Sequence, residues 1–144
     1  MRSTIIAAMM LAAAPAMAQD GPAGAIAEKS IDALRAELAA GKATSAALTQ
    51  AYLDRIAAID RKGPTLRSVI AVTPDALDQA RASDRRRKAG TLLGPLDGIP
   101  VLIKDNIETR ELPTTAGSLA LAANHTRRDA PVVARLRAQG AVIL

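Results

Sequence analysis

Tyr52 is the only aromatic residue in the 144-residue sequence. Any folded core must therefore be built from alanine, leucine, isoleucine, valine and a few methionines, and such a core needs many contacts to bury a stabilising area. The chain is 49% hydrophobic and 23% charged, which is typical of a globular protein of one domain. Cysteine is absent and His125 is the single histidine, so we predict no disulfide, no metal site and no cofactor.

The amino terminus has the pattern of an export signal. Arg2 provides a positive charge, and residues 5–14 are apolar without interruption. Pro15 breaks that run, and the Ala-Met-Ala of residues 16–18 offers small side chains for cleavage. The apolar run is too short to span a bilayer as a mature helix. We therefore predict a signal peptide over residues 1–18, a periplasmic or secreted protein, and no membrane span.

A basic run, Arg85-Arg86-Arg87-Lys88, contributes to the formal net charge of +5. No aromatic residue interleaves with the run to stack on bases, as single-stranded nucleic acid binding requires. Acidic residues precede it on a predicted helix, so the run is interpreted as a solvated helix end. We predict no nucleic acid partner.

Periodicity along the rest of the chain predicts helices separated by short apolar strands. Helices are expected over residues 26–38, 44–59, 73–89, 119–123 and 129–139, with caps at Thr44 or Ser45, at Thr73 and at Asp129. Strands are expected over residues 66–72, 99–103 and 141–144, and a tight turn over residues 94–98. The fold class is α/β.

Lys104 is the side chain with the most chemical promise, because it ends the predicted strand 99–103 and is followed by Asp105 and Asn106. A lysine in this position commonly extends to water. Alternatively, burial lowers the pKa of a lysine, and its neutral amine can then accept a proton from a hydroxyl. The spacing alone does not decide between these interpretations.

The sequence from about Ile26 to Leu144 resembles the amino-terminal part of the amidase signature family. The resemblance is carried by Gly-Pro-Leu-Asp-Gly-Ile-Pro-Val-Leu-Ile-Lys-Asp-Asn at 94–106, Pro-Thr-Thr-Ala-Gly-Ser at 113–118 and Asp-Ala-Pro-Val-Val-Ala-Arg-Leu at 129–136. It implies that residues 19–144 are the amino-terminal portion of an amidase domain, an α/β/α sandwich with a mixed β-sheet.

The resemblance also implies a chemistry, in which a lysine and two serines hydrolyse an amide through an acyl-enzyme. Lys104 matches the catalytic lysine, whereas both serines of the family lie beyond the segment that matches Leu144. Five further residues are expected to line the substrate cleft or to orient Lys104: Asp105, Asn106, Thr115, Gly117 and Ser118. The chain ends on an apolar strand, which is typical of a truncated sequence. The piece alone is therefore expected to be inactive.

Two other nucleophilic arrangements are disfavoured. Ser118 lacks the glycines of a nucleophile elbow, and capping a helix or bonding within its loop is the simpler role. His125, with Asp105 or Asp129, suggests a Ser-His-Asp triad, but its polar neighbours indicate an exposed loop histidine.

Three functions remain open from the sequence. The first is an exported hydrolase of small-molecule or peptide amides. The second is a secreted α/β module without catalytic activity. The third is the amidase subunit of a tRNA-dependent amidotransferase, against which the signal peptide argues because that work is cytoplasmic. The sequence identifies neither the substrate nor the oligomeric state.

Overall fold

A computed structural model describes residues 26–144. The predicted signal peptide, residues 1–18, lies outside the described residues, as do residues 19–25 of the predicted amidase domain. In chain order the elements are α1 (Ile31–Ala39), α2 (Ser45–Arg55), a π-helical segment (Ile56–Arg61), α3 (Ala76–Ala89), β1 (Pro100–Val101), a 3-10 turn (Leu119–Leu121), α4 (Pro131–Ala138) and β2 (Val142–Ile143).

Helix α1 begins later than its apolar pattern predicts. The Ser30 hydroxyl accepts a hydrogen bond of 3.1 Å from the Ala33 amide, which satisfies one of the free N–H groups at the first turn. Ile26 is buried but precedes the helix, and Ile31, the first residue of the helix, is 51% exposed. The capping serine therefore sets the helix start, rather than the first apolar residue.

Helix α2 is capped both from its own chain segment and from α3. The Thr44 hydroxyl accepts from the Ala47 amide at 3.1 Å, so Thr44 is the cap among the two candidates. The Asp84 carboxylate in α3 accepts from the amides of Ser45 and Ala46 at 2.7 and 3.0 Å. A carboxylate at a helix amino terminus is favoured by the helix dipole. The second cap also fixes α2 against α3.

The predicted caps of the later helices are wrong. Thr73 lies before a turn in which its carbonyl accepts the Ala76 amide, and α3 begins at Ala76 after Asp75. Asp129 does not cap α4, because its carboxylate accepts from the Arg110 amide at 3.1 Å and from Arg137 Nε at 2.8 Å. For Asp129, contacts distant in sequence take the group that a local cap would have used.

The sheet in the described residues consists of β1 and β2, which pair in parallel. Pro100 lies opposite Val142, and Val101 lies opposite Ile143. The strand predicted over residues 66–72 is wrong, since this segment is largely exposed and its residues form no ladder. Valine and isoleucine suit a strand, but a strand also needs a hydrogen-bonding neighbour.

The core consists of aliphatic side chains, as the scarcity of aromatic residues predicts. One cluster joins α1 and α2 to the residue before β1, and a second joins α3 to β2. Their buried members are Ile26, Leu34, Leu38, Leu48, Ala51 and Ile99 in the first cluster, and Ala76, Ala80, Val142 and Leu144 in the second. Tyr52 packs against both clusters and connects them.

Candidate active site

The turn before β1 has the shape that its prolines and glycines predict. The Asp97 amide donates to the Gly94 carbonyl at 3.1 Å, and the Ile99 amide donates to the Leu96 carbonyl at 2.9 Å. Two overlapping turns thus lead the chain into β1. The tight turn predicted over residues 94–98 is confirmed.

Asp97 fixes this turn to the end of α3. Its buried carboxylate accepts two hydrogen bonds from the Arg86 guanidinium, at 2.8 and 2.9 Å, and one from the Leu93 amide at 2.8 Å. Arg87 donates to the Asp97 carbonyl at 2.7 Å. Burial opposes ionisation of Asp97, but the Arg86 guanidinium and the Leu93 amide hold its pKa below the ordinary value.

Two members of the basic run therefore have structural roles, and the interpretation of the whole run as a solvated helix end is wrong. Arg86 and Arg87 hold the turn, whereas Arg85 and Lys88 are exposed. Residues of an α-helix are spaced around its axis at 3.6 per turn, so Arg86 and Arg87 can share one side of the helix while Arg85 and Lys88 lie on the other.

The chain on either side of this turn packs too closely for side chains larger than hydrogen. A Cβ at Gly140, whose φ is +86°, would lie 2.6 Å from the Asp97 Cα. A Cβ at Gly98 would lie 2.6 Å from the Ser83 hydroxyl oxygen. The Gly98 amide also donates to the Gly140 carbonyl at 3.0 Å. The start of β1 is thus fixed to the loop that precedes β2.

Lys104 lies beyond the carboxyl end of β1, which is shorter than predicted. The last ladder bond joins the Leu144 amide to the Val101 carbonyl at 3.0 Å, and Leu102 is 55% exposed. Lys104 is itself exposed, and its carbonyl accepts the Ile107 amide at 2.9 Å. Residues 26–144 therefore do not bury the Lys104 amine, and burial of this amine is what would let it act as a base.

Asp105 binds the loop of residues 115–117. One carboxylate oxygen accepts from the Thr115 amide at 3.0 Å, and the other accepts from the Thr115 hydroxyl and from the Gly117 amide at 3.3 Å. Burial would raise the pKa of Asp105, but these bonds outweigh it and hold the pKa below its ordinary value. Asp105 is therefore an ionised acceptor directed at this loop.

A cavity of about 580 Å³ brings most of the predicted site residues together. Lys104, Asp105, Asn106, Thr115 and Gly117 all line it. Ser118 is not among its lining residues; it is exposed and precedes the 3-10 turn Leu119–Leu121, which confirms the short helix predicted there. Five of the six predicted residues thus share one cleft.

A second part of the cleft wall is not predicted by the sequence. It is formed by residues 68–71 and Thr73, which the sequence predicted as part of a strand and a cap. The buried Asp60 carboxylate holds this wall by accepting from the Ser68 amide at 2.6 Å and from the Ser68 hydroxyl at 2.7 Å. A polar Asp-Arg pair directly after an apolar helical stripe is the one sequence signal that could have suggested such an anchor.

The Ser-His-Asp alternative finds no support among residues 26–144. His125 is exposed, and in this range neither Asp105 nor Asp129 is hydrogen-bonded to it. Both carboxylates are occupied by the partners described above. Within the same range no group of three acidic or histidine side chains is arranged to hold a metal ion, and no helix has the length and apolar character to cross a membrane.

Comparisons with known proteins identify the family. The family model described as Amidase matches residues 47–144. The crystal structure of peptide amidase from Stenotrophomonas maltophilia superposes with a TM-score of 0.80 at 53% identity, covering 83% of this chain and 24% of that one. Its α/β fold confirms the predicted fold class.

Curated relatives show the same pattern of coverage. The A subunit of glutamyl-tRNA(Gln) amidotransferase from Chloroflexus aurantiacus is 50% identical over 79% of this chain and 23% of its own length. A probable amidase of Arabidopsis thaliana is 47% identical over 83% of this chain and 23% of its own. The chain thus spans about a quarter of the relatives it matches. By the family match and these identities, the chain belongs to the amidase family.

Proposed function

We propose that this chain contributes the lysine-bearing wall of an amide hydrolase active site, with Lys104 as the base. The observation that carries the proposal is the cleft in which Lys104 lies beside Asp105, Asn106 and the loop of residues 115–117. Strand ends of α/β sheets are where such sites form. The identity to a peptide amidase supports an amide as the substrate.

In the proposed reaction the neutral amine of Lys104 accepts a proton that originates on the nucleophilic serine and passes through a second, bridging serine. The serine oxygen attacks the amide carbon, backbone amides stabilise the oxyanion, and the proton passes to the leaving nitrogen. The C–N bond breaks, and water then releases the acid from the acyl-enzyme. Because Lys104 is exposed here, its role requires that substrate or further polypeptide remove water from the amine.

The proposal is tested in the complete gene product with a panel of peptide, aliphatic, aryl and fatty amides. Lys104→Ala and Lys104→Arg should each abolish turnover, because arginine keeps its proton and cannot act as a base. Lys88→Ala, which removes an exposed lysine at the end of α3, is the matched control and should retain activity. Amidase activity retained by Lys104→Ala would contradict the proposal.

A second candidate is the amidase subunit of a tRNA-dependent amidotransferase. The identity to the Chloroflexus aurantiacus protein favours it, since that identity is close to the one with the peptide amidase. Hydrolysis of glutamine that depends on added glutamyl-tRNA and partner subunits would establish it. Hydrolysis of a simple amide by the gene product alone would exclude that dependence.

We further propose that residues 1–18 direct export, on the sequence pattern alone. Amino-terminal sequencing of the protein recovered from the cell envelope or medium should begin at Gln19. A protein that starts at Met1 or Arg2 and remains in the cytoplasm would contradict export and favour the amidotransferase. An exported protein that hydrolyses no amide of the panel would instead support the non-catalytic module.

A further inference from the structure

We infer that Asp105 is a positioning residue, whose carboxylate fills an anion-binding loop at residues 115–117 and fixes that loop as the cleft wall beside Lys104. The inference rests on the proposed function for its consequence in catalysis. The contacts between Asp105 and residues 115–117 do not depend on that function.

Three consecutive amides converge on this one residue. The Thr115 amide donates to the Asp105 carboxylate at 3.0 Å, and the Gly117 amide donates to it at 3.3 Å. The Ala116 amide between them donates to the Asp105 carbonyl at 3.0 Å. Successive backbone amides that face one point form a concave site for an anion. In this protein the amides of Thr115 and Gly117 face the Asp105 carboxylate, and the Ala116 amide between them faces the backbone carbonyl of the same residue.

The backbone of the loop is held in an unusual conformation. Ala116 has φ of +49° and Gly117 has φ of +75°, so two neighbouring residues occupy the left-handed region. A Cβ at Gly117 would have nothing within 4 Å, so glycine is favoured here by the positive φ and not by a lack of space. An L-residue such as Ala116 adopts this region at a cost, which the bonds to Asp105 offset.

Two consequences follow for the reaction. The amides of residues 115–117 are already bound, so they have no N–H to give to an oxyanion, and those donors must come from another part of the enzyme. The two oxygens of Asp105 share three donors, and this favours the ionised carboxylate as an acceptor over a proton-transfer role. Asp105 therefore contributes by holding the wall rather than by exchanging protons.

Thr115 offers a matched pair of variants. Its hydroxyl donates to Asp105 and accepts from the Gly117 amide at 3.0 Å, so it links the carboxylate to the loop. Thr115→Ser keeps the hydroxyl, whereas Thr115→Val keeps the shape and loses it. In hydrogen exchange of the loop, the serine variant should keep the rates of the unmodified protein, and the valine variant should show part of the acceleration seen in an Asp105 variant.

The first experiment measures amide hydrogen exchange in the complete gene product and needs no activity. In Asp105→Asn the amides of Thr115 and Gly117 should exchange at least about tenfold faster, because one amide acceptor replaces two charged oxygens. Thr115→Val should accelerate the Gly117 amide, and Thr115→Ser should not. Unchanged exchange at the Thr115 and Gly117 amides in Asp105→Asn would overturn the inference, whatever the enzyme hydrolyses.

The second experiment separates positioning from general support of the fold. Asp105→Asn should lower kcat by about 10- to 100-fold with KM nearly unchanged, since misplacement beside the reacting groups affects the transition state more than binding. Lys88→Ala, which removes an exposed side chain outside the cleft, is the control and should remain within about threefold of the unmodified kcat. A kcat retained by Asp105→Asn despite fast exchange would overturn the positioning role. Activity retained by Lys104→Ala would instead contradict the proposed function and leave the exchange result standing.

Discussion

The two ends of β1 are built in opposite ways. At the amino end the buried carboxylate of Asp97 and the glycines at 98 and 140 leave no free space. At the carboxyl end Leu102 and Lys104 are exposed, and the chain opens into a cleft. One short strand thus has a fixed end and an accessible end. If Lys104 acts as proposed, this division would leave its side chain accessible while the backbone before it is held in place.

The largest expected effect tests the fixed end. Asp97→Ala should lower the free energy of unfolding of the complete gene product by about 3 to 4 kcal/mol, because it leaves the partly buried Arg86 without its partner. Chemical denaturation measures the change. The control is Asp78→Ala, which removes the exposed partner of Arg81 on α3, the helix that also carries Arg86. It should lower the free energy of unfolding by less than about 0.5 kcal/mol. Equal losses in the two variants would show that the turn does not depend on Asp97.

A pair of glycine variants tests the close packing behind β1. Gly140→Ala should cost about 2 to 3 kcal/mol, because a strained φ and a collision with the Asp97 backbone act together. Gly90 has φ of +70° but open space around it, so Gly90→Ala should lower the free energy of unfolding by only about 1 kcal/mol. Thermal or chemical denaturation compares the two. Similar costs would mean that the chain relaxes readily at Gly140.

Acid should weaken the fixed end. The folded pKa of Asp97 lies below its ordinary value of 3.8, so folding favours the ionised carboxyl. Its contribution is therefore complete above that value and is lost as pH falls through the lower folded pKa. Compared with Asp97→Asn, the unmodified protein should lose stability more steeply below pH 3.8, by no more than about 1.4 kcal/mol per pH unit. Parallel curves in denaturation series would refute this account of the pair.

The smallest expected effect is at the accessible end. Lys104→Ala should change the free energy of unfolding by less than about 0.5 kcal/mol, because the side chain is exposed and its loss leaves no cavity. The same variant is expected to lose turnover. A large loss of stability would mean that Lys104 supports the fold, and the contrast between the two ends would then fail.

Local features were the ones that the sequence predicted well. The turn at residues 94–98 and the end of α3 at Gly90 depend on proline and glycine dihedrals, which neighbouring residues determine. The aliphatic core follows from composition alone. The cleft residues from 104 to 117 were found because the family resemblance covers them as continuous motifs.

Features that depend on distant partners were missed. Residues 66–72 have the composition of a strand, but pairing is decided by other parts of the chain. The Asp97–Arg86 pair spans 11 residues, and the Asp129–Arg137 bond replaces a cap that looked sufficient locally. Such contacts require the tertiary arrangement, so a pattern of residue types does not specify them.

The basic run at the end of α3 has one more consequence. Of its four cations, two are turned toward Asp97, so a polyanion approaching this helix end would meet mainly Arg85 and Lys88. Counterion release scales with the number of phosphates neutralised, so the salt dependence of any such encounter would correspond to about two charges rather than about four. The number of basic residues in this run therefore overstates its electrostatic attraction for polyanions in solution.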